Sequence, residues 1–96
     1  MRYSVKIAAG AAREIRRLPG DAARQVLDAI GDLAQDPRPS GVKRLEGTPD
    51  AYRVRLGVYR IVYTIKDDIL HICVVTVGHR KDVYRSLRGK VKRRTR

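Results

Sequence analysis

The spacing of apolar residues changes once along this chain, and that change limits the folds it can adopt. Residues 3–7 alternate apolar and polar side chains, which predicts a half-buried first strand. Over 8–18, and again over 21–34, apolar residues recur every three or four positions, which predicts two amphipathic helices. Pro19 and Gly20 separate the helices, and Asp21 is placed to cap the second. We therefore expect an antiparallel helical hairpin.

Further along the chain the apolar period becomes two. Segments 52–56 and 59–66 alternate apolar and polar residues, and segment 69–77 is almost wholly apolar. Short turns at 57–58 and 67–68 would join these strands into an antiparallel meander, with the most apolar strand central. The sequence therefore predicts an α+β fold of order β-α-α-β-β-β, with the helical hairpin packed on an antiparallel-rich sheet.

The length of 96 residues predicts a single small domain. A chain of this size buries roughly 60–70% of its unfolded surface, so we expect any site to be a surface groove. Its single cysteine excludes an internal disulfide and a cysteine-based zinc site. Because there is no long apolar run and no leader pattern, we expect no membrane partner and a cytoplasmic location.

The net charge of +12 is divided between two parts of the chain. Residues 88–96 hold six basic side chains and no acid, which is half of the total. We interpret them as a basic C-terminal tail that adds unspecific phosphate affinity, following a folded domain over 1–87. The excess charge within that domain points to an acidic partner such as nucleic acid.

Strand parity predicts that three arginines share one face of the sheet. A two-residue turn at 57–58 would pair Arg55 with Arg60 and Arg53 with Val62, on the side away from the helices. Like charges directly opposite each other destabilise a sheet by a few tenths to about 1 kcal/mol. Exposed strand faces often hold solvated arginines. Three arginines on one face with no acidic residue between them nevertheless favour an anion-binding site.

The second hairpin is expected to bring a histidine to the same face. Pairing Lys66 with Ile69 would place Arg60 beside Val75 and His71 on the open side, near Thr64. His71 has the pattern of a partly exposed strand residue as much as that of a functional one.

The end of the apolar strand holds further polar residues. Strict alternation would place Arg80 on the covered face, so we expect a break at Gly78 that releases Arg80 toward the groove. The polar residues around it are His79, Lys81, Tyr84 and Arg85.

The available side chains restrict the chemistry. Two histidines with scattered acids do not make a tetrahedral zinc site, and there is neither a phosphate-binding glycine loop nor a serine nucleophile elbow. Arginine, lysine, histidine and tyrosine suit RNA scission by the 2′-hydroxyl without a metal or cofactor, since guanidinium groups stabilise charge on phosphoryl oxygens. Arginine is a poor base, so Tyr84 and His79 are the candidates for proton transfer. Tyr84 could instead stack on a base.

Four segments resemble a known family. These are Leu45-Glu46-Gly47, the 52–56 segment YRVRL, the 59–63 segment YRIVY and the 77–84 segment VGHRKDVY. Together they resemble the RelE branch of the RelE/ParE toxin superfamily over residues 2–85. The resemblance implies a ribosome-dependent endoribonuclease that cleaves mRNA in the A site without a metal, and so inhibits translation.

The resemblance also implies roles for individual residues. Arg53 and Arg55 match basic residues that contact the scissile phosphate, and Arg60 matches an arginine that stabilises the transition state. Arg80 matches a proton donor or charge stabiliser, and Tyr84 a tyrosine that stacks on or polarises the substrate. The family prototype has lysines at the first two positions and two more residues between the last two. Five other residues are assigned to nucleic-acid binding: Lys43, Arg44, His79, Lys81 and Arg85.

The implied partners are a small acidic antitoxin and the ribosome with its mRNA and rRNA. The toxin–antitoxin complex is a candidate for operator DNA binding through the antitoxin. Two alternatives stay open. One is a ParE-like inhibitor of DNA gyrase, and the other is a nonenzymatic RNA- or ribosome-binding module in which the arginines only bind phosphates.

Overall fold

The computed structural model describes residues 2–79 of the chain. These residues form a five-stranded sheet in the order β1-β5-β4-β3-β2, with two helices. The elements are β1 (Ser4–Ile7), α1 (Ala9–Arg16), α2 (Gly20–Leu33), β2 (Lys43–Arg44), β3 (Ala51–Leu56), β4 (Tyr59–Lys66), a 3-10 turn (Asp67–Ile69) and β5 (His71–His79). The predicted α+β fold is confirmed, with one additional strand, β2.

The central position predicted for the most apolar strand is confirmed. β5 lies between β1, with which it pairs in parallel, and β4, with which it pairs antiparallel. β3, β4 and β5 form the expected meander. The helical hairpin connects β1 at one edge of the sheet to β2 at the other, and this connection brings the helices onto one face of the sheet.

The helices cover that face through their apolar stripes. Val26, Ile30 and Leu33 of α2 recur at helical spacing and are buried in one cluster with the sheet. On the sheet side the cluster contains Ile61, Tyr63, Ile65, Ile72, Val74 and Val77. The prediction that Asp21 is the N-cap of α2 is wrong. Pro19 occupies that position without a side-chain cap, and Asp21 lies in the first turn, where a carboxylate favours the helix dipole.

The first β-hairpin has the predicted register. Arg55 pairs with Arg60 and Arg53 with Val62. Gly57 adopts φ +63° at the first central position of the turn, where hairpin turns that match the strand twist need a positive φ. The two-residue turn therefore fixes which side chains share a face.

The register predicted for the second hairpin is wrong. His71 pairs with Lys66 rather than lying near Thr64, because the 3-10 turn and Leu70, at φ +50°, lengthen the connection. A β-bulge near Val75 then shifts the pairing again. Arg60 consequently lies opposite Gly78 and not Val75.

The expected break at Gly78 is also wrong. β5 continues through Gly78 to His79, and the bulge changes the alternation three residues earlier. Val74 before the bulge and Val77 after it both belong to the core cluster, which strict alternation would not allow.

Candidate nucleic-acid interface

Four basic residues lie on the sheet face opposite the helices, in two directly opposed pairs. Lys43 of β2 pairs with Arg53 of β3, and Arg55 of β3 pairs with Arg60 of β4. Each pair of like charges costs a few tenths to about 1 kcal/mol in a sheet. We call Lys43, Arg53, Arg55 and Arg60 the cationic face. Folding alone gives no reason for its charge arrangement.

Acidic side chains of the described residues do not neutralise the first three members of the cationic face. The two ion pairs that the structure shows within residues 2–79 are Arg38–Asp67 and Lys66–Asp50. Lys43, Arg53 and Arg55 form no ion pair there, so the acids of this part of the chain leave their positive charge uncompensated.

Arg53 differs from the sequence expectation in its burial. It lies on the predicted face, but only 7% of it is exposed, and its Nε makes no hydrogen bond. Arg55, two residues on, is exposed. Arg53 helps to line a cavity of about 320 Å³ together with Ser40, Gly41, Lys43 and Arg55. The cationic face is therefore a surface that contains a pocket, and not a flat patch.

Two other residues assigned to nucleic-acid binding lie elsewhere. Arg44 pairs with Tyr52, which packs against the core on the helix side of the sheet. Arg44 also lines a separate hollow of about 500 Å³ together with residues 45–49. His79 is half-buried and pairs with Tyr59. The structure thus gathers Lys43, Arg53, Arg55 and Arg60 and separates Arg44 and His79 from them.

Four predicted site residues lie outside the described part of the chain. Arg80 and Tyr84 were assigned to the chemistry and Lys81 and Arg85 to binding. Their positions relative to the cationic face stay predictions, as does the boundary between a domain over 1–87 and a tail over 88–96.

A cluster that sequence reasoning missed fixes the loop beside the cavity. The Arg38 guanidinium donates to the Asp67 carboxylate at 2.8 and 3.3 Å, and its Cζ lies 5.0 Å from the centre of the Tyr52 ring. Tyr3 also donates to Asp67, at 2.6 Å. Arg38 lies between two prolines in the loop that leads to β2. That position was the only indication in the sequence that Arg38 could fix the loop to the sheet.

The same cluster shifts ionisation equilibria. Hydrogen bonds from Arg38 and then Tyr3 hold the pKa of Asp67 below its usual range. The hydrogen bond to Asp67 raises the pKa of Tyr3. Burial raises the pKa of Tyr63 to about 12, and its hydroxyl donates to the Pro37 carbonyl at 2.7 Å. These contacts tie the α2–β2 loop to β4 and to the turn after it.

Histidine, cysteine and carboxylate side chains within residues 2–79 do not gather in threes as a metal site would require. In the same part of the chain, neither helix has the length and apolar character needed to cross a membrane.

Comparison with known proteins gives consistent matches. The family model described as ParE toxin of type II toxin-antitoxin system, parDE, matches residues 5–84. The chain is 31% identical over 86 residues to toxin RelG of Mycobacterium tuberculosis, covering 88% of this chain and 99% of that toxin. It is 30% identical over 83 residues to mRNA interferase toxin RelE of Escherichia coli K12, covering 84% of this chain and 86% of that one.

Solved structures match as well. The archaeal RelE-RelB complex from Pyrococcus horikoshii OT3 contains a chain with a TM-score of 0.74 and 33% identity, over 83% of this chain and 97% of that one. The RelBE2 toxin-antitoxin complex from Mycobacterium tuberculosis contains a chain with a TM-score of 0.73 and 29% identity, over 83% of this chain and 100% of that one.

Proposed function

This chain belongs to the RelE/ParE family of type II toxin–antitoxin toxins and is of the RelE type, and we propose that it is an endoribonuclease that cleaves mRNA in the ribosomal A site. The observation that supports this best is the opposed Arg55–Arg60 pair with Arg53 beside it, on a face where Arg53 and Arg55 form no ion pair with the described acids. Such a face suits a phosphodiester whose negative charge increases during reaction.

The proposed reaction uses the RNA's own nucleophile. The 2′-oxygen bonds to the adjacent phosphorus while the bond from phosphorus to the 5′-oxygen breaks, which leaves a 2′,3′-cyclic phosphate and a 5′-hydroxyl. The 2′-hydroxyl loses a proton to a base, and the 5′-oxygen gains one from an acid. No metal is needed for the nucleophile, because the RNA supplies it.

Arginines suit the charge stabilisation and not the proton transfer. A guanidinium stays protonated at neutral pH and binds phosphoryl oxygens through paired N–H groups. We assign contact with the scissile phosphate to Arg53 and Arg55, and transition-state stabilisation to Arg60. Tyr84 and Arg80 are proposed to transfer protons or to hold the substrate.

A ribosome programmed with a defined message tests this proposal. The wild-type chain should cut within the A-site codon, and Arg60→Ala should lower the rate by 100-fold or more, the usual effect of removing one donor from a developing oxyanion. Arg24→Ala, which removes an exposed arginine of α2, is the matched control and should act within a few-fold of wild type. A 2′-deoxy nucleotide before the cut should abolish cleavage. Equal rates for Arg60→Ala and wild type would contradict the proposed site.

A second candidate function has one observation in its favour, the match to the ParE family model. A ParE-like toxin would inhibit DNA gyrase and leave mRNA intact. Gyrase-linked DNA breaks together with uncut message on programmed ribosomes would therefore overturn the endoribonuclease proposal. Salt-sensitive ribosome binding without cleavage of any message would favour a nonenzymatic binding module.

We also propose that an antitoxin binds this chain. The similar toxins were solved as RelE-RelB and RelBE2 complexes. An acidic amphipathic partner would gain electrostatic steering from the cationic face and apolar burial from the helices, where Leu27 is 48% exposed. Such a complex would act in the cytoplasm, with operator DNA bound through the antitoxin. Purification of the chain from its native host without a small acidic partner would contradict this.

A further inference from the structure

β2 is too short to hold its own position in the sheet. It contains two residues, which pair with Arg53 and Tyr52 of β3. Two strands on their own are marginally stable even when they are longer, so a strand of this length depends on the backbone on either side of it. After β2, the Leu45 amide donates to the Ala51 carbonyl at 2.9 Å. Before β2, the support has to come from the α2–β2 loop.

Arg38 attaches that loop to the sheet in two directions. Besides its bonds to Asp67, its guanidinium donates to the Tyr52 hydroxyl at 3.3 and 3.4 Å and lies over the Tyr52 ring. The Tyr52 ring stacks on that of Tyr63, with ring centres 6.2 Å apart. Tyr63 in turn donates to the carbonyl of Pro37, the residue before Arg38. The loop, β3 and β4 are therefore joined in one closed set of contacts.

The contact with Asp67 sets Arg38 apart from the arginines that face the proposed substrate. Hydrogen bonds from Arg38 and then Tyr3 hold the pKa of Asp67 below its usual range, so the ion pair stays charged at neutral pH. Arg53 and Arg55, in contrast, form no ion pair with the described acids. The charge of Arg38 is already compensated within the fold, which suits structural support rather than phosphate binding.

The segment that Arg38 holds lies against the proposed site. Two residues of the loop, Ser40 and Gly41, line the cavity together with Arg53. At the end of the loop, Lys43 lies directly opposite Arg53 in the β2–β3 ladder. A movement of the loop would therefore displace Lys43 and uncover Arg53. A displacement of about 1 Å that begins far from the reacting atoms can lower a rate by about 100-fold.

We propose that Arg38 is a positioning residue of the endoribonuclease site. By binding Asp67 and Tyr52, it holds the α2–β2 loop against the sheet. The loop in turn fixes the position of Lys43 beside Arg53. This assignment rests on the proposed function for its effect on cleavage, but not for its effect on the position of β2.

Cleavage on programmed ribosomes tests the assignment by separating rate from affinity. Arg38→Ala should lower the rate at saturating ribosome concentration about tenfold, and the ribosome concentration that gives half the maximal rate should stay within about twofold of wild type. Arg38→Lys keeps the charge but loses the paired hydrogen bonds, and should be impaired to a similar extent. Ile15→Val trims a buried side chain of α1 and lowers the stability of the core, so it is the control and should cleave as wild type does.

Asp67 distinguishes positioning from direct contact with RNA. If Arg38 acts through this carboxylate, Asp67→Ala should lower the saturating rate as much as Arg38→Ala does, and the double variant should lose no more than either single variant. Asp28→Ala removes an exposed acid of α2 and should have no effect. If Arg38 bound RNA itself, removal of the neighbouring acid would instead strengthen ribosome binding. Stronger ribosome binding by Asp67→Ala, or a wild-type rate in either single variant, would overturn the assignment.

Hydrogen exchange tests the same contact without any reaction. The amides of residues 43–45 should exchange about fivefold faster in Arg38→Ala than in wild type, because a short edge strand opens locally. Ile15→Val should leave their exchange unchanged, since the stability that it loses is that of the core. Unchanged exchange in Arg38→Ala would overturn the assignment even in a chain that does not cleave RNA. Loss of cleavage in Arg60→Ala together with a wild-type rate in Arg38→Ala would contradict this inference and leave the proposed function intact.

Discussion

Arg38 and Asp67 form a two-point contact between the α2–β2 loop and the turn after β4, with nitrogen–oxygen distances of 2.8 and 3.3 Å. The two residues are 29 positions apart in the chain. Tyr52, on β3, lies against the same guanidinium. The contact therefore joins the loop that walls the cavity to the strand that supplies Arg53 and Arg55.

Loss of Arg38 should destabilise the domain modestly. Arg38→Ala is expected to lower the free energy of unfolding by about 1 kcal/mol, chiefly through the contact with the Tyr52 ring, since exposed cation–π pairs contribute about 0.5–1 kcal/mol. Urea denaturation measures the change. Lys66→Ala breaks an ion pair of equal length that, within residues 2–79, lacks a cation–π contact, and should have a smaller effect. Equal effects of the two variants would contradict a role for the ring contact.

Asp67 should make stability sensitive to acid. Because its pKa is depressed in the folded state, its contribution is fully present above the ordinary carboxyl pKa and is lost as the pH falls through the lower, folded value. Denaturation of wild type and Asp67→Asn between pH 7 and pH 2 should therefore show the two stabilities converging in acid. Parallel curves down to pH 2 would exclude the linkage.

Tyr63 should limit stability at high pH. Its pKa is raised to about 12 from 10.0, so its contribution is full below pH 10 and is lost as the pH rises through the folded value. Tyr63→Phe should unfold about 1 kcal/mol more easily at pH 7, because it loses the hydrogen bond to Pro37. In wild type, ionisation of Tyr63 lowers the free energy of unfolding between pH 10 and 12, and Tyr63→Phe should lack this contribution. Thermal melts across that pH range measure the difference.

Glu14 should protect backbone amides of β5 from exchange where β1 no longer covers that strand. β1 pairs with β5 only as far as Val74, and beyond it the Glu14 carboxylate accepts from the Val77 amide at 3.0 Å and from the buried Thr76 hydroxyl at 2.9 Å. Glu14→Ala leaves these donors unpaired and should cost about 1–3 kcal/mol. Hydrogen exchange should show a faster Val77 amide.

Two comparisons make the Glu14 result specific. Glu14→Gln keeps one acceptor oxygen and should fall between the alanine variant and wild type. Asp28→Ala removes an exposed acid from α2 and should leave Val77 exchange unchanged. Unchanged Val77 protection in Glu14→Ala would show that the carboxylate does not cover this edge.

Arg53 should show stability and activity changing in opposite directions. Arg53→Met replaces a buried guanidinium with an apolar side chain of similar length and should raise the free energy of unfolding by about 1 kcal/mol. The same variant should lose 100-fold or more in message cleavage. A variant that is both less stable and fully active would contradict the assignment of Arg53 to the site.

The first hairpin could be predicted from the sequence because its geometry is local. A two-residue turn leaves one register, and alternation then places Arg55 opposite Arg60. The helices were predictable for the same reason, since their apolar stripes repeat within each segment. Lys43 could be proposed as a binding residue, but its position opposite Arg53 could not, because a strand of two residues has no period.

The second hairpin could not be predicted because its register depends on tertiary structure. Leu70 adopts a left-handed conformation that its residue type does not favour, and the bulge near Val75 leaves no mark in an apolar run. The burial of Arg53 was missed because alternation assigns a face and not a depth.

Because the cationic face contains like-charge pairs, the stability of the folded chain depends on whether an anion is bound there. An anion that binds only the folded state at 100 times its dissociation constant raises the free energy of unfolding by about 2.7 kcal/mol. The repulsion between Arg55 and Arg60 is relieved in the same step. The unliganded chain is therefore the form most open to proteolysis, and its turnover in a cell slows whenever a polyanion, whether RNA or an acidic protein, covers this face.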